Sequence, residues 1–355
     1  MIEPGATIGI LGGGQLGRMT ALAAAALGYR CHIFCPERDS PAKQVSTYAT
    51  TAAYDDGAAL ANFAAAVDVI TFEFENVPAD TAEILAAAKP VRPAPAALRI
   101  AQDRLKEKDF LRSIGAPTTP YRAIDGASAL QHALREIGPE GVLKTVRGGY
   151  DGKGQATIRS DADPAEAWRR LGADAGILES FVDFRCEISV IVARGIDGRR
   201  ATYVPVENWH VEHILDTTIA PARIAPDTGA RAETIAQHIA DRLDLIGLLA
   251  VEMFVTPAGD VLVNELAPRP HNSGHWTIDA CYHSQFEQLV RAICGLPLGS
   301  PERHSDAVMK NLIGADVATW RAALDEPSAK LHLYGKTKAR PGRKMGHVTR
   351  LMPRR

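Results

Sequence analysis

The hydrophobic and polar positions of this chain follow two periods, and they change over near residue 100. Ala6-Thr-Ile-Gly-Ile-Leu11 is an almost unbroken apolar run of strand length, the pattern of a strand buried on both faces. The Ala/Leu-rich stretch at 21–27 that follows reads as a helix packed on a sheet. Cys31-His-Ile-Phe34 and Val67-Asp-Val-Ile-Thr-Phe72 then recur at βαβ spacing, so the first hundred residues predict a doubly wound α/β unit. Residues 103–114 form a charged amphipathic helix, closed by Gly115 and a Pro117…Pro120 connector that marks a domain boundary. Strands dominate afterwards: 142–145 and 155–158 around a glycine-rich loop, 177–182, 187–192, and a hairpin of 251–256 with 261–265. Residues 309–314 and 331–335 read as strands of a small cap. The expected domains are 1–100, 101–295 and 296–355.

Composition changes this picture little. At 355 residues the chain has ample core for two or three domains, and its 46% hydrophobic and 23% charged residues are ordinary for a globular protein. A formal net charge of -2 gives no reason to expect nucleic acid or an anionic membrane as partner. Five cysteines without a C-x-x-C pair suggest reduced thiols in a cytoplasmic protein. The start of the chain lacks the basic opening of a signal peptide, and the apolar run at 21–27 is far short of the ~20 residues that span a bilayer.

The chemistry concentrates in four places. Gly12, Gly14 and Gly17 match G-x-G-x-x-G between a strand and a helix, with Glu37 about where a ribose-binding acid belongs; the glycines serve either a dinucleotide or only a tight turn. Past the third strand, Glu73 and Glu75 share a strand face at the carboxyl end of the sheet, where such sheets bind ligands. In Val142-Leu-Lys-Thr-Val-Arg-Gly-Gly-Tyr-Asp-Gly-Lys-Gly-Gln155, glycines let backbone N–H groups approach a polyphosphate, with Lys144 and Lys153 adding positive charge. A strand rather than a helix follows, and Gly154 stands where a Walker A loop has Ser or Thr. Glu179 and Glu187 suit either a sugar and an adenine amine or plain strand ends.

The hairpin across Pro257-Ala-Gly-Asp260 is more telling. Pairing Thr256 with Val261 sets Phe254 against Val263 and Glu252 against Glu265. Two opposed carboxylates destabilise a sheet unless a cation lies between them, and Mg²⁺ shared with phosphate oxygens suits the pair. Ala267-Pro-Arg-Pro-His-Asn-Ser-Gly-His275 follows, a stiff polar loop. Its Arg269 suits a planar oxyanion and its His271 can position a substrate or move a proton. Lys336, Arg343 and Lys344, gathered by the Pro341-Gly342 turn, form either a solvated face or a clamp for a phosphomonoester.

Together these stretches resemble the ATP-grasp superfamily, and within it the 5-(carboxyamino)imidazole ribonucleotide synthase family of purine synthesis. GILGGGQLGRM at 9–19, FEFENVP at 72–78, RGGYDGKGQ at 147–155, ESFVDF at 179–184, NELAPRPHNSGH at 264–275 and YGKTKARPGRKMGHV at 334–348 carry the likeness. Val146 and Cys186 depart from it beside motif positions rather than on them.

The resemblance implies an α/β and α+β chain: an ATP-grasp fold with an N-terminal Rossmann-like (pre-ATP-grasp) domain and a small C-terminal β-rich domain. It implies that ATP phosphorylates bicarbonate and that the amine of 5-aminoimidazole ribonucleotide takes up the carboxyl group. ATP would be held by Arg104, Lys144, the loop Gly149, Tyr150, Asp151, Gly152, Lys153, Gly154 and Gln155, then Glu179, Ser180, Phe181, Val182, Glu187, His210, Asn264 and Glu265. Glu252 and Glu265 would carry two Mg²⁺ ions. Gln15, Glu73, Tyr150, Asp151, Arg269, His271 and Asn272 would surround the ribonucleotide, with Lys336, Arg343 and Lys344 on its phosphate. Arg269, His271 and Lys153 would be catalytic, and the family implies a cytoplasmic homodimer. A nicotinamide dehydrogenase would leave the second glycine loop and the carboxylate pair without a task, and a non-catalytic nucleotide sensor is disfavoured because the carboxylate pair and the loop of Arg269, His271 and Asn272 are all intact.

Overall fold

The computed structural model describes residues 1–149 and 153–355. Tyr150, Asp151 and Gly152, three of the expected ligand contacts, lie outside the described residues. Among the described residues the strands form three sheets.

The first is parallel, in the order Tyr48–Thr50, Arg30–Phe34, Thr7–Leu11, Val69–Phe72. Every residue of Thr7–Leu11 is buried, as a central parallel strand flanked by helices requires. The short strand Tyr48–Thr50 was not expected from the pattern, because its three residues are largely exposed and carry no apolar signal. The third expected strand stops at Phe72, and the chain then turns. Glu73 and Glu75 therefore do not share a strand face, and they find different partners.

A small antiparallel sheet holds Tyr121–Ile124, Gly176–Ser180, Gly141–Thr145 and Gln155–Ile158, with Lys144 opposite Gln155 across the glycine loop. Its strand Gly176–Ser180 ends two residues before the expected limit at Val182.

The third sheet is the centre of the molecule. Its order is Val261–Ala267, Gly247–Val255, Cys186–Arg194, Val206–Val211, Ile214–Ala220, Ser305–Ile313, Lys344–Pro353 and Ala329–Leu333. The C-terminal strands thus continue the central sheet, through pairing of Thr217–Ala220 with residues 307–310, rather than forming a sheet of their own. A separate three-stranded piece would leave both its edges open, whereas this one leaves a single edge. One buried cluster runs from Ile8 and Tyr29 through Ile191 and Trp276 to Ala307 and Met309, so all three parts of the chain share a core.

The 247–267 hairpin reaches its expected outcome by another route. Val255 pairs with Val261, Phe254 with Leu262 and Met253 with Val263, one step away from the expected register. A bulge between Glu252 and Met253 then restores the opposition of Glu252 and Glu265. Its physical reason lies outside the hairpin. Val263 N–H donates to Pro117 O at 2.8 Å, and the Lys108 ammonium donates to the carbonyls of Val263 and Asn264 at 3.3 and 2.9 Å. The backbone on that side is thus paired with the 117–118 segment and cannot continue a regular ladder.

Candidate active site

The helix Arg104–Ser113 begins at the mouth of the small sheet, capped by Asp103, whose carboxylate accepts from Lys106 N–H at 3.2 Å. That start places the Arg104 guanidinium against the glycine loop, where it donates to Thr145 O and Gly149 O, both at 3.2 Å. One turn further, Lys108 is fully buried. It lies 3.3 Å from Glu179, whose other oxygen is 3.0 Å from Lys144. Burial alone would push the Glu179 carboxyl up, but Lys144 and Lys108 together bring it down to about 2. Among the other expected nucleotide contacts, Ser180 Oγ donates to Ile137 O at 2.8 Å and Phe181 is exposed under Arg159, while Gln155 stands 3.5 Å from His213. Val182 is half-buried, and Gly154 and Lys153 face outward at the loop's exit.

On the central sheet, His210 Nδ1 lies 2.9 Å from Glu187 and His271 Nε2 lies 2.8 Å from Glu252. Single ligand atoms of Glu187, His210 and Glu252 fall within 4.8 Å of one another, a geometry that could hold a metal ion. Burial pushes Glu252 up, but His271 and His210 beside it bring it down to about 2. Glu265 is exposed. Desolvation by the surrounding protein and the Glu252 charge both raise it, with Arg104 and Lys144 opposing. Two carboxylates with opposite displacements on adjacent strands form an anionic pair, a donor set that suits a divalent cation. Among the described residues, the amide oxygen of Asn264 and both polar atoms of the Asn272 amide are buried without a hydrogen-bond partner. These are groups that a bound ligand can satisfy.

The other side of the site is built by all three parts of the chain. Glu73 accepts from the N–H groups of Gly14 and Gly17 at 2.8 and 3.0 Å, beside half-buried Gln15, the first residue of the helix Gln15–Ala26. Its carboxylate therefore occupies the start of that helix, the place a dinucleotide's pyrophosphate would take. Glu75 instead pairs with the Arg269 guanidinium. Burial raises Glu73, and the two N–H groups, Arg269 and Lys336 only partly offset it. The basic turn lies nearby: Lys336 donates to Lys344 O at 2.6 Å, Arg343 donates to Lys338 O at 2.9 Å, and Gln44 donates to Gly335 O at 2.9 Å. Desolvation, with Arg343 beside it, brings the Lys336 ammonium down to about 8 despite the nearby Glu73.

The chain matches three families in sequence order: the ribonucleotide synthetase preATP-grasp domain at residues 5–102, the ATP-grasp domain at 109–286, and the phosphoribosylaminoimidazole carboxylase C-terminal domain at 307–355. It is 51% identical over 355 residues to the N5-carboxyaminoimidazole ribonucleotide synthase of Brucella melitensis, covering 99% of this chain and 98% of that one. The chain belongs to the N5-carboxyaminoimidazole ribonucleotide synthase family. The synthase of Bacillus subtilis is 44% identical, over 98% of this chain and 92% of its own. Among solved structures, the ADP complex of an N5-carboxyaminoimidazole ribonucleotide synthetase superposes with a TM-score of 0.96 at 44% identity, covering 99% of this chain and 93% of that one. The Aspergillus clavatus synthase, complexed with ADP and 5-aminoimidazole ribonucleotide, gives 0.92 at 32% identity over 98% and 94% of the two chains. As a member of this synthase family the chain is an ATP-grasp ligase with the expected α/β and α+β architecture. Among the described residues no helix is long and apolar enough to cross a membrane.

Sequence reasoning missed Lys108 and the pairing of Glu75 with Arg269. Lys108 follows Arg104 by four residues and so lies on the same helix face, a signal that was available. Glu75 has no such signal, because its partner Arg269 is 194 positions away.

Proposed function

We propose that this chain carboxylates the exocyclic amine of 5-aminoimidazole ribonucleotide, consuming ATP and bicarbonate and releasing ADP and phosphate. The observation that carries the reading is the opposition of Glu252 and Glu265 at the junction of two cationic groups of residues, Arg104 with Lys144 and Arg269 with His271. In this reading Arg104, Lys144 and the loop 149–155 hold the triphosphate, Glu179 to Val182 the adenine, and Glu187 and His210 the ribose. Glu252, Glu265 and Asn264 would hold Mg²⁺, which neutralises phosphate oxygens when bound.

On the acceptor side, Arg269 grips the planar oxyanion bidentately and His271 and Asn272 bracket the amine. Gln15 and Glu73 meet the sugar. Lys336, Arg343 and Lys344 take the phosphate, since the first glycine loop is already filled by Glu73. Carboxyphosphate is short-lived in water, so this reading requires that the residues drawn from all three parts of the chain exclude water while it reacts.

A coupled ADP-release assay tests this. ADP formation should require both bicarbonate and 5-aminoimidazole ribonucleotide. Release driven by formate with glycinamide ribonucleotide, or by bicarbonate with another amine, would overturn it. Sedimentation would test the homodimer that the family implies.

A further inference from the structure

Behind His271 a line of buried hydroxyl and amide groups crosses the central sheet. Thr218 Oγ1 lies 3.0 Å from Asn208 Oδ1, and Asn208 Nδ2 lies 3.0 Å from Ser189 Oγ. Ser189 Oγ is 2.6 Å from Ser273 Oγ, which is 2.8 Å from His271 Nδ1. All four residues behind the histidine are buried. They come from the strands Ile214–Ala220, Val206–Val211 and Cys186–Arg194 and from the turn Asn272–Gly274, so nothing local in the sequence brings them together.

Both ends of the line fix its direction. An amide oxygen only accepts, so Thr218 donates to Asn208, and the Asn208 NH₂ then donates to Ser189. At the far end the backbone N–H of Ser273, which only donates, meets His271 Nδ1 at 3.4 Å. The Glu252 carboxylate at Nε2 needs a donor facing it. With the ring neutral, the hydroxyl protons between run the same way, from Ser189 to Ser273 to Nδ1.

We propose that Ser273, backed by Ser189 and Asn208, is a positioning residue that holds His271 as its Nε2–H tautomer, with that N–H directed at Glu252. A flipped ring would turn carbon toward the Ser273 hydroxyl and toward the carboxylate, losing both bonds. The peptide of the same residue is fixed separately, since the buried Gln285 side chain accepts from His271 N–H at 2.9 Å and donates to His271 O at 2.7 Å. The consequence is that the His271 ring has a fixed orientation, with its one N–H committed to Glu252. This rests on the reading above only in taking Glu252 and His271 as active-site groups.

The test uses the full chain labelled with ¹⁵N-histidine, without ligands, near neutral pH, with the His271 ring signals assigned by their loss in His271→Asn. The expected spectrum has a protonated Nε2 and an unprotonated Nδ1. Ser273→Ala should move the Nδ1 resonance, and Ser189→Ala should move it less. Ser273→Ala should also lower kcat about 10-fold, as removal of an outer orienting group does, leaving KM for ATP within about 2-fold. In the His271→Asn background it should cost nothing more. A protonated Nδ1 in the unaltered protein would overturn the proposal. So would a Ser273→Ala loss that persists in full without His271, which would make the chain merely structural. If Ser273→Ala does not fold, Ser189→Ala, which keeps the hydroxyl at 273, carries both readouts. The spectra contain no substrate, so an enzyme that shows the tautomer but not the carboxylation would sink the functional reading and leave this one standing.

Discussion

Gly12, Gly14 and Gly17 surround a carboxylate, whereas Gly149 and Gly154 pack beside a guanidinium and a strand hydroxyl. In the first loop a Cβ on Gly12 would come within 2.6 Å of Glu73 Cγ, and one on Gly14 within 2.7 Å of Glu73 Oε1. The glycines are there because the protein's own anion fills the space. In the second loop a Cβ on Gly149 would come within 2.7 Å of the Lys153 carbonyl and 3.2 Å of Arg104, one on Gly154 would lie 2.7 Å from Thr145 Oγ1, and one on Gly148 would meet nothing. Two stretches of similar composition therefore differ in what is supplied from within: the first contains its anion, whereas beside the second Lys144 is paired with Glu179 and Arg104 bonds only to backbone carbonyls, leaving its charge for an anion from outside. A glycine-rich loop at a helix start marks a place suited to negative charge, without saying whose charge it is.

The largest expected effect separates the two sides of the cleft. Glu265→Gln removes a carboxylate from an opposed pair, so folding should be unharmed or slightly favoured, while ATP turnover falls by about 100-fold or more, the scale for deleting a key electrostatic contact. Urea melts and ADP release measured on the same preparation check both parts. Undiminished turnover would remove the second loop's claim to a metal-bound phosphate.

The buried acids beside the two loops should respond to pH with opposite signs. Glu179 is held at about 2, below its ordinary 4.5, so its contribution is complete above about 4.5 and is lost as pH falls toward 2. That contribution is on the order of 3 kcal/mol. Glu73 is raised by burial, so its native form takes up a proton more readily than the unfolded chain, and ionising it costs stability as pH rises above about 4.5. Denaturation from pH 3 to 7 should show the stability of Glu179→Gln relative to the parent improving as pH falls. That of Glu73→Gln should worsen. Slopes of the same sign would mean that the two carboxylates sit in equivalent surroundings.

Glycine replacements sharpen the contrast at smaller scale. Gly12→Ala meets both a positive φ of 106° and the Glu73 side chain, and should cost roughly 3 kcal/mol of stability. Gly148→Ala, at a φ of 77° in open space, should cost only about 1–2 kcal/mol. Equal losses in urea denaturation would show that backbone conformation alone, and not the enclosed carboxylate, demands glycine in the first loop.

Much of this arrangement was legible in the sequence, for a physical reason. Strands of period two and buried apolar runs announce themselves, so the first sheet's three main strands, the small sheet apart from Tyr121–Ile124, and the 247–267 hairpin were foreseeable. What escaped depends on contacts between distant segments. The hairpin register is set by Lys108 and Pro117 bonding to Val263 and Asn264, about 150 positions away, which turn spacing cannot reveal. The same limit hid the filling of the first loop. Both Glu73 and the glycines were visible, but not that the chain turns after Phe72 and swings the carboxylate onto the Gly14 and Gly17 N–H groups. It also hid the continuation of the central sheet by the C-terminal strands, since an edge's partner is invisible in either strand alone.

The smallest effect asks where a sugar phosphate goes if the first loop cannot take it. Lys336, Arg343 and Lys344 are the proposed alternative, and there they would touch only a remote part of the acceptor. Lys336→Ala or Arg343→Ala should therefore raise KM for the ribonucleotide about 10-fold, leaving kcat and KM for ATP nearly unchanged. Because desolvation and Arg343 bring Lys336 down to about 8, its charge is lost as pH rises through that value. KM for the ribonucleotide should accordingly climb above pH 8 in the parent enzyme, and much less in Lys336→Ala. A KM change confined to ATP would move the basic turn to the nucleotide side. An unaltered KM would return the phosphate to the first loop, which would require Glu73 to leave Gly14 and Gly17 whenever the ribonucleotide binds.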